Sequence, residues 1–216
     1  MQRKIIIPLL EENKYDEMLE MAKKDTKATF RFLIGSTYDK ADILCWRAIE
    51  AAGMIAGEIA KTKPDVIRSL AQRLLWMLRD ESGNNLSSAP EMLGEIVRNS
   101  PDTLADIAPV IASFHDEVLL RQGVLRAIFR IGELRPDLIG VSVEFLEPFM
   151  RDEDPAVRAY ALLIAGAYSL KATLPAISEL KNDGGTATLY RDGAFISESV
   201  GQIAAKVHER LSKEEN

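Results

Sequence analysis

Asp154-Pro155-Ala156-Val157-Arg158-Ala159-Tyr160-Ala161-Leu162-Leu163-Ile164-Ala165-Gly166 is the stretch from which the fold of this 216-residue chain can be read. Aspartate followed by proline opens a helix: the carboxylate caps free N–H groups, and the ring presets φ at the first helical position. Ala161, Ala165 and Gly166 then place small residues along the helix, and the same columns recur elsewhere. Gly53, Gly94, Gly132, Gly166 and Gly201 lie 41, 38, 34 and 35 residues apart. Five residues before each glycine stand Ala48, Ala89, Ala127, Ala161 and Ile196. One residue before stand Ala52, Leu93, Ile131, Ala165 and Val200, and two residues after stand Ile55, Ile96, Leu134, Tyr168 and Ile203. These offsets fall on one helical face, and its small residues let a neighbouring helix come close.

Each such helix is preceded by another apolar-periodic segment. Pro64-Asp65 leads into Val66, Leu70, Leu74 and Met77; Pro101-Asp102 into Leu104, Ile107, Ile111 and Phe114; Pro136-Asp137 into Leu138, Val141, Phe145 and Phe149. Proline presets the first turn and the acid faces the helix dipole. Ser88-Ala89-Pro90-Glu91 fits a capping box. The unit is helix, turn, helix with a period near 38 residues. The pattern predicts one elongated all-α domain of about five stacked pairs, each hiding its apolar stripe against the next.

Two segments depart from the unit. Tyr15 to Thr37 reads as two short helices split near Lys23-Lys24-Asp25, an atypical cap. Gly184 to Ile196 does not read as helix: Asp192-Gly193 between β-prone residues signals a small hairpin, followed by a last helix from about Ser197 to Leu211. The expected organisation is one domain over 1–216, with a cap (1–41), core repeats (42–182), and the hairpin with its terminal helix (183–216).

Period and pattern together resemble HEAT-like repeats of the phycobilin-lyase type. Asp154 to Ala161 is close to the D-P-x-V-R-x-x-A opening of a second HEAT helix, and the resemblance runs from Tyr15 to Leu211. Two boxes, Cys45-Trp46-Arg47-Ala48-Ile49-Glu50-Ala51 and Trp76 to Gly83 continuing to Ala89-Pro90-Glu91, resemble an uncharacterised bacterial branch of that family, as does the Tyr190-Arg191-Asp192-Gly193 hairpin. The resemblance implies a right-handed α-α superhelix whose second helices line a concave surface. It implies no activity, because a shared repeat does not transmit function.

Composition sets the outer bounds. The chain is 47% hydrophobic and 28% charged, which suits a globular protein and excludes a disordered or fibrous one. Its net charge of −6 argues against a basic nucleic-acid binder. The lone Cys45 excludes an internal disulfide framework. The longest charge-free run, Ala159 to Leu170, is too short to cross a membrane. Pro8 and Glu11-Glu12 interrupt the apolar start, so a cytoplasmic location without a signal peptide is expected.

Candidate functional residues come from the same register. The face opposite the small column carries Arg47, Glu50 and Met54, then Ser88, Glu91 and Glu95, then Arg126, Phe129 and Glu133, with Arg130 and Trp46 beside it. This predicts an exposed groove of mixed charge, better suited to a protein or peptide than to phosphates. The turn from Asp80 to Ser88 holds Asp80 and Glu81, with Trp76 as an apolar wall for a polar ligand; more simply, Trp76 is core and the two acids solvate a helix end. His115 and His208 lack metal-ligand spacing, Cys45 is expected to be an inert core thiol, and no phosphate-loop or nucleophile motif occurs. No cofactor and no metal are expected. The reading is a non-catalytic scaffold that holds a protein or peptide on the concave face. The alternatives are a HEAT-like nucleic-acid binder or DNA repair protein, using Arg68, Arg73, Arg79, Arg121, Arg126 and Arg130, and a small-molecule enzyme using the Asp80 to Glu91 loop.

Overall fold

A computed structural model describes residues 3–79 and 88–213. They are mostly helical, with one two-stranded antiparallel sheet near the C-terminus. The elements run α1 (Arg3–Glu11), α2 (Tyr15–Lys24), α3 (Thr26–Gly35), α4 (Ile43–Ala60), α5 (Pro64–Leu78), α6 (Ala89–Asn99), α7 (Pro101–Leu104), α8 (Ala108–Ala112), α9 (Arg121–Gly132), α10 (Val143–Met150), α11 (Pro155–Ala167) and α12 (Leu174–Glu179). Strands β1 (Thr186–Arg191) and β2 (Ala194–Ser199) and helix α13 (Val200–Lys213) complete the chain.

The repeated glycine helices form a row in which α4 packs on α6, α6 on α9, α9 on α11 and α11 on α13. Each member also packs on its own preceding segment: α2 and α3 on α4, α5 on α6, α8 on α9, α10 on α11 and α12 on α13. The small column makes the row tight. A methyl group at Gly53 would lie 2.8 Å from Cβ and the carbonyl oxygen of Glu95. One at Gly94 would lie 2.6 Å from Ala127 Cβ. Those separations are closer than carbon atoms can pack, so only glycine permits these two crossings.

Local chemistry sets most boundaries as expected. Asp154 accepts a hydrogen bond from Ala156 N at 2.8 Å with Pro155 at the first position of α11. Asp25 separates α2 from α3 and caps the latter through Ala28 N. The hairpin turns at Asp192 and Gly193, with φ of 51° and 80°; both are left-handed, as the tight mirror-image turn requires. Register pairs Tyr190 with Phe195 and Leu189 with Ile196.

Four expectations change. The helix expected after Pro101 is broken into α7, a 3₁₀ turn (Ala105–Ile107) and α8, with Pro109 at the start of α8, where it can donate no helical hydrogen bond. After Pro136 only a 3₁₀ turn forms (Pro136–Leu138); α10 begins later, where Ser142 caps Phe145 N. Ser88 makes no side-chain cap. Its hydroxyl instead donates to the Thr37 carbonyl at 2.6 Å, tying α6 to the chain before α4. Trp76 is not core: it is 65% exposed, on the side of α5 away from α6 and α4.

The crossings can be tested directly. Gly94→Ala is expected to cost about 1–3 kcal/mol, because the methyl must push α9 away. Gly35→Ala, where a methyl meets nothing within 4 Å, is expected to leave stability unchanged or raise it by up to about 1 kcal/mol. Urea unfolding of both variants measures the difference, and equal midpoints would contradict the close-packing account.

Candidate functional site

Glu91 and Glu95 stand one turn apart on α6, and Arg126 and Arg130 one turn apart on α9. The Gly94–Ala127 crossing brings the two helices together, so acids and bases meet. Glu95 Oε1 lies 3.1 Å from Arg126 Nη2 and 2.7 Å from Arg130 Nε. Glu95 and Arg126 are almost wholly buried. Burial by itself pushes a carboxyl pKa up, but the Arg126 and Arg130 charges outweigh it and hold the Glu95 carboxyl below its ordinary value. For Arg130, burial lowers the pKa and Glu95 more than restores it, leaving it raised. Arg130 also pairs with Glu133, which reaches Arg98 at 3.6 Å.

The cluster continues into aromatic contacts. The Arg126 guanidinium carbon sits 5.0 Å from the Trp46 ring centre, an arrangement worth about 2 kcal/mol when desolvated. Trp46 donates its indole N–H to the Lys40 carbonyl at 2.9 Å. Its ring stacks on Tyr190 of β1, 5.5 Å between centres and 15° between planes, and Phe195 of β2 meets it edge-on. The Tyr190 hydroxyl donates to Glu50 Oε2 at 2.6 Å, and Tyr15 donates to the same oxygen at 3.3 Å. Burial, and then the Glu50 carboxylate, raise both phenols, that of Tyr15 to about 12. The hairpin, which also packs on α11, therefore reaches back to α4, three places along the row.

The candidate residues thus fall into distinct surroundings. Trp46, Glu50, Glu95, Arg126 and Arg130 converge. Glu91 stays close by: Oε1 binds Lys40 Nζ at 2.7 Å, and Oε2, over Gly123, has no hydrogen-bond partner. Phe129 leans on Tyr160, 6.4 Å between ring centres. Arg47 donates to the carbonyls of Leu10 and Glu11, closing the C-terminal end of α1, and its charge still reaches Tyr15 and Tyr190. Trp76 stands exposed on α5, and Asp80 and Glu81 lie outside the described residues. The expected open stripe is therefore largely interior: Glu91, Glu95 and Arg126 are buried. The reason is that acid and base at 35-residue spacing satisfy one another and the hairpin covers them.

An opening of about 170 Å³ remains beside the hairpin, lined by Glu50, Arg126, Phe129, Arg130, Glu133, Tyr190, Arg191 and Asp192. Arg126 Nη1 is buried without a hydrogen-bond partner. Sequence reasoning missed Tyr15, Tyr190, Arg191 and Asp192 as members of this site. The Tyr190-Arg191-Asp192-Gly193 run marked a turn, but nothing in it signals a partner 140 residues earlier.

Cys45 is buried, and burial pushes its thiol up to about 12, so it stays protonated and unreactive at neutral pH. Among the described residues no three His, Cys, Asp or Glu side chains converge as a metal site, and no helix is long and apolar enough to cross a membrane. Comparison of the chain with protein-family models, curated proteins and solved structures gives no match.

Two outcomes follow from these charges. Glu95→Gln leaves two arginines short of their counter-charge and is expected to cost about 3–5 kcal/mol at neutral pH. The Glu95 pKa is lowered on folding, so its contribution is present above the unfolded value of 4.5 and fades as pH falls through the folded one. The gap between wild type and Glu95→Gln should therefore shrink on acidification in denaturant titrations; a gap constant with pH would contradict the pairing. For Tyr190 the sign is reversed: its pKa is raised, so its contribution is full below pH 10.0 and is lost as pH rises through the folded value. Tyr190→Phe, which keeps the ring on Trp46, should cost about 1.5–3 kcal/mol for the bond to a charged acceptor, with the deficit diminishing in strongly alkaline solution.

Proposed function

We propose that the chain is a non-catalytic binding scaffold. In this reading it is a right-handed, HEAT-like array of about five helix pairs that holds a protein or peptide partner where the concave face meets the hairpin. Support for the array comes from the row α4, α6, α9, α11 and α13, from the repeated small-residue crossings, and from a six-residue strand that touches both α4 and α11.

The observation that carries the binding reading is the opening beside the hairpin. Phe129 supplies an apolar contact there, and acids and bases surround it. Arg191 and Asp192 line the opening at a tight turn, together with Glu50, Arg130 and Glu133. Mixed charge around one aromatic residue suits a peptide side chain flanked by its own backbone, because both donors and acceptors are on offer. Most of the network is already satisfied internally, so the partner meets a preorganised surface and pays little ordering entropy.

The test is position-specific crosslinking in the source cells. A photoreactive phenylalanine analogue replaces Phe129, and the same analogue replaces Glu179 on an exposed part of α12 as a control. The expected result is a protein adduct from position 129, absent from position 179 and reduced by Arg191→Glu. No adduct at 129, or the same adducts at both positions, would contradict the reading.

A further inference from the structure

A second surface has a different character. Helices α3 and α5 both pack on α4 but not closely on each other. The groove left between them has a volume of about 620 Å³. Its floor is apolar: Phe30 and Ile34 from α3, Val66 and Leu70 from α5. Phe30 and Ile34 are buried and recessed, whereas Val66 is 42% exposed at the edge.

The rim is basic. Lys23, Lys24, Lys27, Arg31, Lys63 and Arg73 line it against Asp25 and Asp65. That is a local charge of +4 in a chain of −6, so everything else carries −10. Pairing matters as much as count. Elsewhere the arginines of the row are tied to carboxylates, as in Arg121–Asp152, Arg130–Glu95 and Arg158–Asp183. At the groove, among the described residues, only Lys23 is paired, with Glu20. Lys24, Lys27, Arg31, Lys63 and Arg73 make no side-chain hydrogen bond and no ion pair among the described residues. Asp25 is engaged in capping α3, and the positive ends of both α3 and α5 open at the groove.

We propose that this groove is a docking site for an acidic amphipathic segment of a partner protein. Its apolar side chains would sit on Phe30, Ile34, Val66 and Leu70, and its carboxylates would face the unpaired cations. Each part of that commitment has a physical reason. Unpaired cations gathered along one groove repel, and an incoming negative charge relieves the repulsion. A recessed apolar floor receives protruding side chains, which a peptide supplies. A bilayer surface is engaged by several apolar residues that stand out from the protein, whereas here Phe30 and Ile34 are buried and only Val66 is exposed at the edge. Nucleic acid would need a continuous phosphate track and exposed aromatic rings for its bases, and the one ring in the groove, Phe30, is buried beneath the rim.

The experiment is a selection from a random 16-residue peptide library displayed on phage, using the full chain as bait. The counter-bait is Lys27→Glu/Arg31→Glu/Arg73→Glu, three exposed positions whose change is not expected to disturb folding, which circular dichroism checks. Enriched peptides should carry net negative charge around two or more apolar residues. Measured by fluorescence anisotropy, the best of them should bind the triple variant at least about tenfold more weakly and should weaken as salt rises. Val66→Asp, which changes the floor while leaving the cations in place, should weaken the same peptides. Phe129→Ala, at the opening beside the hairpin, should leave them unchanged, so this site fails or stands independently of the other. No enrichment, enriched peptides without acidic character, or equal binding to the triple variant would overturn the proposal. So would tighter binding of single-stranded DNA or of phosphatidylglycerol vesicles that the same three changes abolish.

Discussion

A buried carboxylate holds this structure to its shape. Glu95 lies where α6 crosses both α4 and α9, its Cβ and carbonyl against Gly53 and its oxygens on Arg126 and Arg130. Taking a carboxylate out of water is costly, and only close, well-directed cations offset the loss. Glu95 therefore demands that α9 present its arginines at the correct depth, which adds a polar constraint on the α6–α9 crossing to the close contact of Gly94 with Ala127. Arg126, once placed, sits over Trp46, and Trp46 in turn provides the platform on which Tyr190 and the hairpin rest.

The hairpin changes what the charged face of the row is for. Without it, Trp46 and Glu50 would face water. With it, Tyr190 closes over both, and a segment from the end of the chain is anchored to a helix near its start. A repeat array has mostly local contacts and opens easily at its ends. A strap between distant members adds non-local cooperativity that the row alone lacks. Beside the turn a narrow opening remains.

Charge is handled in two ways in one molecule. Along the row, acids and bases meet in pairs and cancel. At the groove between α3 and α5, five cations make no ion pair among the described residues. Paired charges chiefly specify structure, whereas a cluster of unpaired ones keeps its field for something outside. The two surfaces accordingly differ in their electrostatic character.

Much of the framework was legible in the residues. The glycine and alanine columns predicted the row because close helix crossings tolerate only small side chains, and Asp154-Pro155 and Asp192-Gly193 predicted a cap and a turn because their backbone angles are locally determined. Helix continuity was less legible at Pro109 and Ser142, where a missing donor or a competing cap outweighed the apolar period. Whether each charge meets water or another side chain was not legible at all. Periodicity places Glu91, Glu95 and Arg126 on a polar stripe, and a polar stripe is ordinarily solvated. Whether it is solvated or internally paired depends on what lies 35 residues along the chain and on a hairpin 140 residues from Glu50. Sequence by itself determined the local elements and their close-packed faces, since those follow from backbone sterics and side-chain size. Only the tertiary structure decided which charges are spent within the protein and which remain available, since electrostatic pairing depends on distance in space and leaves no periodic trace in the chain.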